Sequence, residues 1–414
     1  MQTQTEANEI RKQRGKEIAQ TCRIMKREKG GYVVPSQSGH GVYLVQYIDY
    51  KPVCECPDFE KCGCLGIKCK HIWAVELTIN KQENADGSMT ITKTAKITYS
   101  QDWSAYNKAQ KNEKALFMDL LFDLCGSVEN PLYDFGRPTL PLADMIFCSV
   151  FKVYSTFSGR RFTTDMRTAK EKNYIDKVPC YNSVFNYFQK EELTPVLKKL
   201  IEISALPLKS VEDKFAIDSS GFSTRRYARW FDFKYGKEKD VRIWLKAHLV
   251  CGTQTNIVTS AEITEAYSHD TKEFPSLVNA TSRNFNIKEV SADKAYSSRE
   301  NIELVDSIGA TSFIPFKSNT SGKQRGSVMW KKMYHYFMFQ REEFLQHYHK
   351  RSNVETTFHM IKSKFGTQLR SKTKTAEINE TLCKILAHNI CVIIQEMFEL
   401  GIETIFYAQK VGGD

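Results

Sequence analysis

The stretch YHKRSNVETTFHMIKSKFG, residues 348–366, is basic with a single acid inside it. Between Tyr348 and Thr375 stand seven Lys and Arg and one carboxylate, Glu355. The stretch has no proline, and its first glycine, Gly366, is a stop signal, so one helix is predicted up to Phe365. At ~100° per residue, Tyr348, Arg351, Glu355, His359 and Lys362 fall within an arc of roughly 80°. Val354, Phe358, Ile361 and Phe365 form a separate apolar stripe. Such a helix packs by one face and presents Tyr, Arg, Glu and Lys on another. Two chemistries fit that face: a solvated surface held by i,i+4 ion pairs, or a site whose cations hold phosphates while its carboxylate holds a metal.

Two further carboxylates bear on the choice. Asp218 lies in FAIDSSGF and Asp293 in EVSADKAYSS, each where an apolar run gives way to polar residues. Both are expected at the C-terminal ends of strands, and each alone is readable as a turn or N-cap residue. Three converging carboxylates would need a cation. Oxygen-only ligands with open positions suit Mg²⁺, and a pair of such ions suits phosphoryl transfer, one activating the attacking hydroxyl and the other steadying the leaving oxygen. Tyr348, Arg351 and Lys362 would then position a DNA backbone rather than read bases. The segment STRRYARWFDFKYGKEKDVRIWLK, residues 223–246, interleaves eight basic residues with Tyr227, Trp230, Phe231, Phe233, Tyr235 and Trp244. That mixture suits backbone tracking and base stacking, or a hairpin with one core face.

A second cluster is built on sulfur. Five of the twelve cysteines lie between Cys54 and Cys69, and the pairs Cys54/Cys56 and Cys69/His71 are separated by twelve residues. Two chelating pairs joined by a loop suit a tetrahedral Zn²⁺ with three thiolates and one imidazole, which would stabilise a module too small to bury much core. The pattern CECPDF…CKHIWAV resembles the SWIM zinc-binding module over roughly residues 31–80. Cys62 and Cys64 lie outside that pattern and read as spectators, with ligand substitution or a second metal as the alternatives. The other seven cysteines read as small core residues.

Tyr, two residues, Arg, three residues, Glu, six residues, Lys resembles the third-carboxylate signature of the DDE transposases of the insertion-sequence "four" group. Here it falls on Tyr348, Arg351, Glu355 and Lys362; AIDSSGF and ADKAYSS resemble the blocks around the two aspartates. The resemblance covers roughly residues 130–400. It implies an RNase H-like sheet, a catalytic triad of Asp218, Asp293 and Glu355 on two Mg²⁺ (Mn²⁺ able to substitute), and strand cleavage and joining at element ends. It also implies double-stranded DNA, both element ends and target, as partner, and a homodimer or larger synaptic complex. Some members cut the second strand through a hairpin and hold a flipped base on an aromatic; Tyr296 and Trp330 are the candidates for base stacking here. Two departures stand out. The interval between Asp293 and Glu355 leaves no room for the long β-rich insertion of larger members, and a SWIM module is not general in the group. The competing reading is a transposase-derived DNA-binding regulator without catalysis.

The elements that must carry these residues follow from texture. A charged helix is expected over 1–30, the zinc-stabilised α+β module over 31–80, and a polar linker with at most one strand over 81–102. A helical DNA-binding or dimerisation region is expected over 103–210. An α/β core with a mixed sheet follows over 211–375, and a final helix over 376–414. Other polar candidates read as structural: Asp270 as a helix N-cap, with His269 beside it, His248 as a core or surface residue, and His388 with Asn389 as a packing pair. Ser219 and Ser220 have no base nearby in sequence to make them nucleophiles. The chain of 414 residues carries a net charge of +11, compatible with a nucleic acid partner. No apolar run reads as approaching the ~18 residues of a membrane span. The N-terminus lacks the apolar core of a secretory signal. The expectation is an intracellular protein without membrane contact, in the cytoplasm or nucleoid of a prokaryote.

Overall fold

Alternating apolar positions in YVVP and VYLVQYI make strands, and their inward residues need a cover. In the computed structural model, which describes residues 4–21, 24–26, 31–36, 42–48, 51–63, 66–83, 89–93, 102–130, 139–224, 244–318, 320, 326–402, 404 and 406, two helices supply it. Helix α1 (Gln4–Thr21) precedes an antiparallel sheet of β1 (Met25–Lys26), β2 (Tyr32–Pro35), β3 (Val42–Ile48) and β4 (Lys51–Cys54). Then come α2 (Pro57–Cys62), α3 (Lys70–Thr78) and a hairpin of β5 (Ile79–Glu83) with β6 (Met89–Lys93). Val34, Val45 and Cys54 meet Ile18 of α1 and Ile72 and Val75 of α3 in one small core. The two helices cross closely at Gly15, where an added Cβ would lie 2.5 Å from Trp73 Cβ. The charged helix expected over 1–30 stops at Thr21, and the segment expected to hold at most one strand holds β6 and most of β5. These residues belong to one compact unit, Met1–Asp102; the other is Trp103–Asp414.

The second unit starts with helices whose apolar residues recur every three or four positions: α4 (Trp103–Cys125), α5 (Leu142–Ser155), α6 (Gly159–Glu171), α7 (Tyr181–Phe188) and α8 (Leu193–Ala205). Then follow β7 (Lys214–Ser223), β8 (Trp244–Gly252), β9 (Val258–Glu265), α9 (Asp270–Ser282), β10 (Glu289–Ala292), α10 (Arg299–Ser307), β11 (Thr311–Phe313), α11 (Val328–Phe339), α12 (Arg341–Tyr348), α13 (Ser352–Phe365) and α14 (Lys374–Glu399). The five strands form a mixed sheet in the order β11-β10-β7-β8-β9, with β11, β10 and β7 parallel and β8 and β9 antiparallel. Residues from Ala109 to Ile394 share one apolar core, so the segments 103–210, 211–375 and 376–414 are packed together rather than cored separately. The aromatic run MWKKMYHYFMF is helix α11, and with Phe313, Phe316 and Phe344 it makes a satellite cluster at the β11 edge. Of the scattered cysteines, Cys125, Cys148, Cys251 and Cys383 are buried as expected, whereas Cys180 is exposed.

Helix α14 corrects one expectation: by length and composition it could cross a membrane. Its surroundings explain the apolarity, because most of its side chains are buried against α4, α5, α7, α8 and β9. Its buried His388 and Asn389 are matched internally. His388 Nε2 lies 2.9 Å from the Asn256 carbonyl, and Asn389 accepts the Val258 N–H at 2.9 Å while donating to the Val258 carbonyl at 2.7 Å and to Ser204 Oγ at 2.9 Å. Asn389→Leu would leave both buried Val258 backbone groups unmatched. At about 1–3 kcal/mol for each orphaned group, the expected loss is roughly 2–4 kcal/mol, read as a lower urea midpoint with an unchanged denaturant slope.

Candidate active site and metal centre

The position of Asp218 follows from strand register. β10 pairs with β7 in parallel, from Glu289 opposite Lys214 to Ala292 opposite Ile217. The next residues along each chain are Asp293 and Asp218, so the pairing brings the two aspartates to the same end of the β7–β10 ladder, near enough for the Asp293 charge to act on Asp218. β10 ends there: Asp293 caps a 3-10 turn, Lys294–Tyr296, its Oδ1 accepting the Lys294 N–H at 2.6 Å. β7 does not end. β8 stays paired with it through Ser223, so Asp218 lies in mid-strand rather than at the strand terminus expected from sequence.

The third acid comes from α13. The single helix expected from Tyr348 is broken: Tyr348 ends α12, a 3-10 turn spans His349–Arg351, and α13 begins at Ser352. No Gly or Pro marks the break. It is pinned from outside, by His347 Nδ1 and Lys350 Nζ meeting Glu289 Oε2 at 2.9 and 2.7 Å and by Ser291 Oγ donating to the His347 carbonyl. Arg351, closing the turn, donates through Nη1 to Asp218 Oδ2 and through Nη2 to Glu355 Oε1, each at 2.5 Å. Two turns further along α13, Lys362 donates to Ser220 Oγ at 2.7 Å and sits 5.1 Å from the Phe222 ring centre. Asp218, Ser220 and Phe222 are alternate residues of β7 and so share the face that α13 covers. Tyr348 places its ring centre 6.0 Å from the Arg351 guanidinium.

Burial pushes the Asp218 carboxyl up, and the nearby Asp293 and Glu355 charges add to that; the Ser219 N–H and the Arg351 guanidinium pull it down. Burial also opposes the Arg351 charge, but Asp218, Tyr348 and Glu355 outweigh it and raise the guanidinium. Burial lowers Lys362. The site is graded in exposure: the Asp218 and Arg351 side chains are 21% and 20% exposed, the Glu355 side chain 57%.

The opposite face of β7 has its own polar network. Ser219 Oγ donates to Asp270 Oδ1 at 3.3 Å, and Asp270 also pairs with Lys246 of β8 and lies 3.6 Å from His248 Nδ1. Asp270 is therefore not an N-cap; His269 occupies that position without a side-chain cap, and Asp270 is the first helical residue, turned toward the sheet. His248 is fully buried, and desolvation lowers it to about 4. Ser220 does meet a base-type side chain, Lys362, which sequence proximity could not indicate. The ammonium donates and the hydroxyl accepts, an arrangement that anchors the lysine.

Both aromatics expected to stack on a base are core residues instead. Tyr296 is fully buried with its ring 5.8 Å from Phe274, and Trp330 is 5% exposed, edge-on to Phe316 at 4.9 Å. Both rings are taken up in the apolar interior, so neither offers a free face. Most of the basic and aromatic segment after Ser223, residues 225–243, lies outside the described residues.

In the N-terminal unit, one ligand atom each from Cys54, Cys56, Cys69 and His71 lie within 4.8 Å of one another, all buried. Cys54 ends β4, Cys56 caps α2 with its sulfur accepting the Phe59 N–H at 3.4 Å, and Cys69 and His71 flank the start of α3. Arg11 of α1 grips Asp58 of α2 through Nε at 3.0 Å and Nη2 at 2.9 Å, holding the Cys56 turn in place. Hydrogen bonding among the thiols drives Cys56 down and Cys54 up, which is how closely packed sulfurs share one charge. His71 Nδ1 faces Cys54 Sγ at 3.9 Å. A tetrahedral zinc site has ligand separations of roughly 3.5–3.8 Å, so the donor set fits the ion in type and is gathered close enough for a small closure onto it. Cys62 is outside the group, its thiol donating to the Ile67 carbonyl at 3.4 Å; Cys64 lies outside the described residues. Asp218 and Glu355, bridged by the cationic Arg351, offer oxygen ligands of the type that suits a hard divalent ion; among the described residues, only the Cys/His group has its ligand atoms gathered within metal-holding distance.

Residues 209–390 match the transposase DDE domain family, and residues 43–80 match the SWIM zinc finger. No curated protein and no solved structure matches the chain significantly. The first match implies an RNase H-like fold for the mixed sheet and supports transposase function with a divalent metal and DNA. The second, with the Cys/His cluster, indicates zinc. Removing that metal is expected to cost the small core its principal tie. Purified protein should contain about one zinc per chain. Strong chelation, or Cys69→Ser, should release it with loss of protease resistance confined to residues 1–102, as mapped by limited proteolysis and metal analysis.

Proposed function

We propose that this chain cuts and joins DNA strands at the ends of an insertion element, using Asp218, Asp293 and Glu355 to hold two divalent ions, Mg²⁺ with Mn²⁺ able to substitute. The observation that supports the reading is the register that ends at Ile217 and Ala292, one residue before Asp218 and Asp293, with Glu355 joined to Asp218 through Arg351. All three acids fall within the transposase DDE domain match. Asp218, Asp293 and Glu355 would hold the ions, which would activate a water or 3′-hydroxyl and offset charge on the leaving oxygen.

The protein's own residues orient the rest. The Ser219 N–H holds Asp218 Oδ1 at 2.8 Å, fixing the carboxylate that two other charges must share. Arg351, Lys362 and Tyr348 line the same face as the acids and supply phosphate contacts on both sides of the cut, positioning without reading bases. Ser219 and Ser220 are engaged by Asp270 and Lys362, so no covalent protein intermediate is needed. The partner is double-stranded DNA, paired by a homodimer or larger assembly. The finer placement within the insertion-sequence "four" group rests on the Tyr348, Arg351, Glu355, Lys362 spacing. Zinc on Cys54, Cys56, Cys69 and His71 is structural in this scheme.

A duplex carrying the gene's own flanking DNA, incubated with Mg²⁺, tests the reading. The wild-type protein should nick it, and Glu355→Gln should lower the rate by at least about a thousandfold, the scale of a lost essential group, while binding the duplex as before. Binding without cleavage by the wild type in either Mg²⁺ or Mn²⁺ would leave a DNA-binding regulator in its place.

A further inference from the structure

We propose that Arg351 is a removable plug in the divalent-ion site: its guanidinium holds Asp218 and Glu355 in the free protein and leaves them for a DNA phosphate, so that metal and DNA bind cooperatively. This rests on the metal-site reading above and adds its regulation.

The geometry is that of direct competition. Arg351 Nη1 and Nη2 take Asp218 Oδ2 and Glu355 Oε1 at 2.5 Å each. Any ion bridging these two acids must lie at ~2.0–2.1 Å from the oxygens, inside the space the guanidinium fills. Both cannot be there, and a divalent ion beside an arginine would also repel it. The neighbouring cations are committed elsewhere: Lys350 to Glu289 at 2.7 Å, and Lys362 to the neutral Ser220 hydroxyl. Arg351 is thus the described cation of this face that contacts the acids themselves.

Arg351 also has somewhere to go. It closes the 3-10 turn between α12 and α13, and its side chain keeps 20% of its surface in solvent beside Glu355 at 57%, so a ligand arriving from solvent can reach it. Its planar fork matches a phosphate bidentately as well as it matches a carboxylate pair. In the free protein the plug neutralises the half-buried Asp218 and keeps the metal affinity low. A phosphate that accepts the guanidinium frees the two carboxylates for metal. Linkage then requires the reverse as well: metal must raise DNA affinity by the same factor. Hydrolytic chemistry is thereby confined to the DNA-bound state.

Mn²⁺ binding, read from the free-ion electron paramagnetic resonance signal, tests this without any cleavage assay. It is measured with and without a duplex of the gene's flanking DNA. Wild type should bind Mn²⁺ weakly alone and about tenfold or more tighter with the duplex, a coupling of ordinary allosteric size. Arg351→Ala should bind Mn²⁺ tightly without DNA, and the duplex should add nothing. Arg351→Lys, whose ammonium reaches one carboxylate but not both, should fall between and carries the comparison if the alanine variant fails to fold. Lys294→Ala removes one exposed charge adjacent to Asp293 without touching the bridge or the helix break and should behave as wild type. The plug is overturned if Arg351→Ala binds Mn²⁺ no tighter than wild type, if Lys294→Ala tightens it equally, or if the duplex helps wild type and Arg351→Ala alike. If Glu355→Gln binds Mn²⁺ as wild type does, the metal-site reading itself fails and the plug with it.

Discussion

Two like charges on adjacent strands are the constraint around which the second unit is arranged. The parallel pairing of β10 with β7 ends one residue before Asp218 and Asp293, which brings the Asp293 charge to bear on an Asp218 side chain that is only 21% exposed. A partly desolvated carboxylate under the influence of a second negative charge is favoured by a nearby cation. The chain supplies one from a third element, and the choice of arginine matters. A guanidinium can satisfy Asp218 and Glu355 at once, where a lysine would satisfy one and leave the other to solvent.

Delivering that arginine requires the helix break. Glu289, on the same strand as the Asp293 approach, collects His347 and Lys350, which stops α12 and turns the chain toward the sheet. From there α13 lies along the Asp218, Ser220, Phe222 face of β7. Its far end is fixed as firmly as its start. Gly366 takes φ +83°, open to glycine at little cost, and the buried Lys384 of α14 donates to the carbonyls of Gly366 and Gln368 at 2.9 and 2.8 Å. Desolvation pulls Lys384 down to about 8, and those two carbonyls are the compensation for burying it. On the other face of β7, Ser219, Asp270 and Lys246 form a second network. Alternate residues of one strand are thus held from both sides, which leaves the Asp218 side chain little freedom.

The parts legible in the sequence were those whose information is local. Helix spacing in ALFMDLLFDLC and LADMIFCSVF, the apolar runs of the strands, the Gly366 stop and the two Cys/His pairs all express a period or a chelate spacing. What was not legible depends on partners distant in sequence. Asp218 looked like a strand end because SSGF reads as a turn, yet β8 keeps pairing with those residues after β10 has left. The break at 349–351 carries no Gly or Pro; it is made by β10. Tyr296 and Trp330 are chemically suited to stacking, but Phe274 and Phe316 reach them first. The period-2 relation of Asp218, Ser220 and Phe222 was present in the sequence and would have predicted the contact of Ser220 with the helix carrying Glu355.

The acid in the basic stretch therefore has a dual character that the sequence presented as a choice. Arg351 and Glu355 do form the i,i+4 pair of an ordinary surface helix, at 2.5 Å and with Glu355 more than half exposed. On a surface such a pair contributes little, because both partners are nearly as well solvated apart. Here one partner is simultaneously bonded to a half-buried aspartate, so breaking the pair changes the charge balance of the whole site rather than of the helix alone. The weakness of the exposed Arg351–Glu355 contact is what makes it useful: it is strong enough to close the site in water and weak enough for a phosphate to open. A fully buried bridge would be too costly to break, since it would leave an uncompensated charge in low dielectric. The graded exposure from Asp218 to Glu355 sets the bridge between those limits.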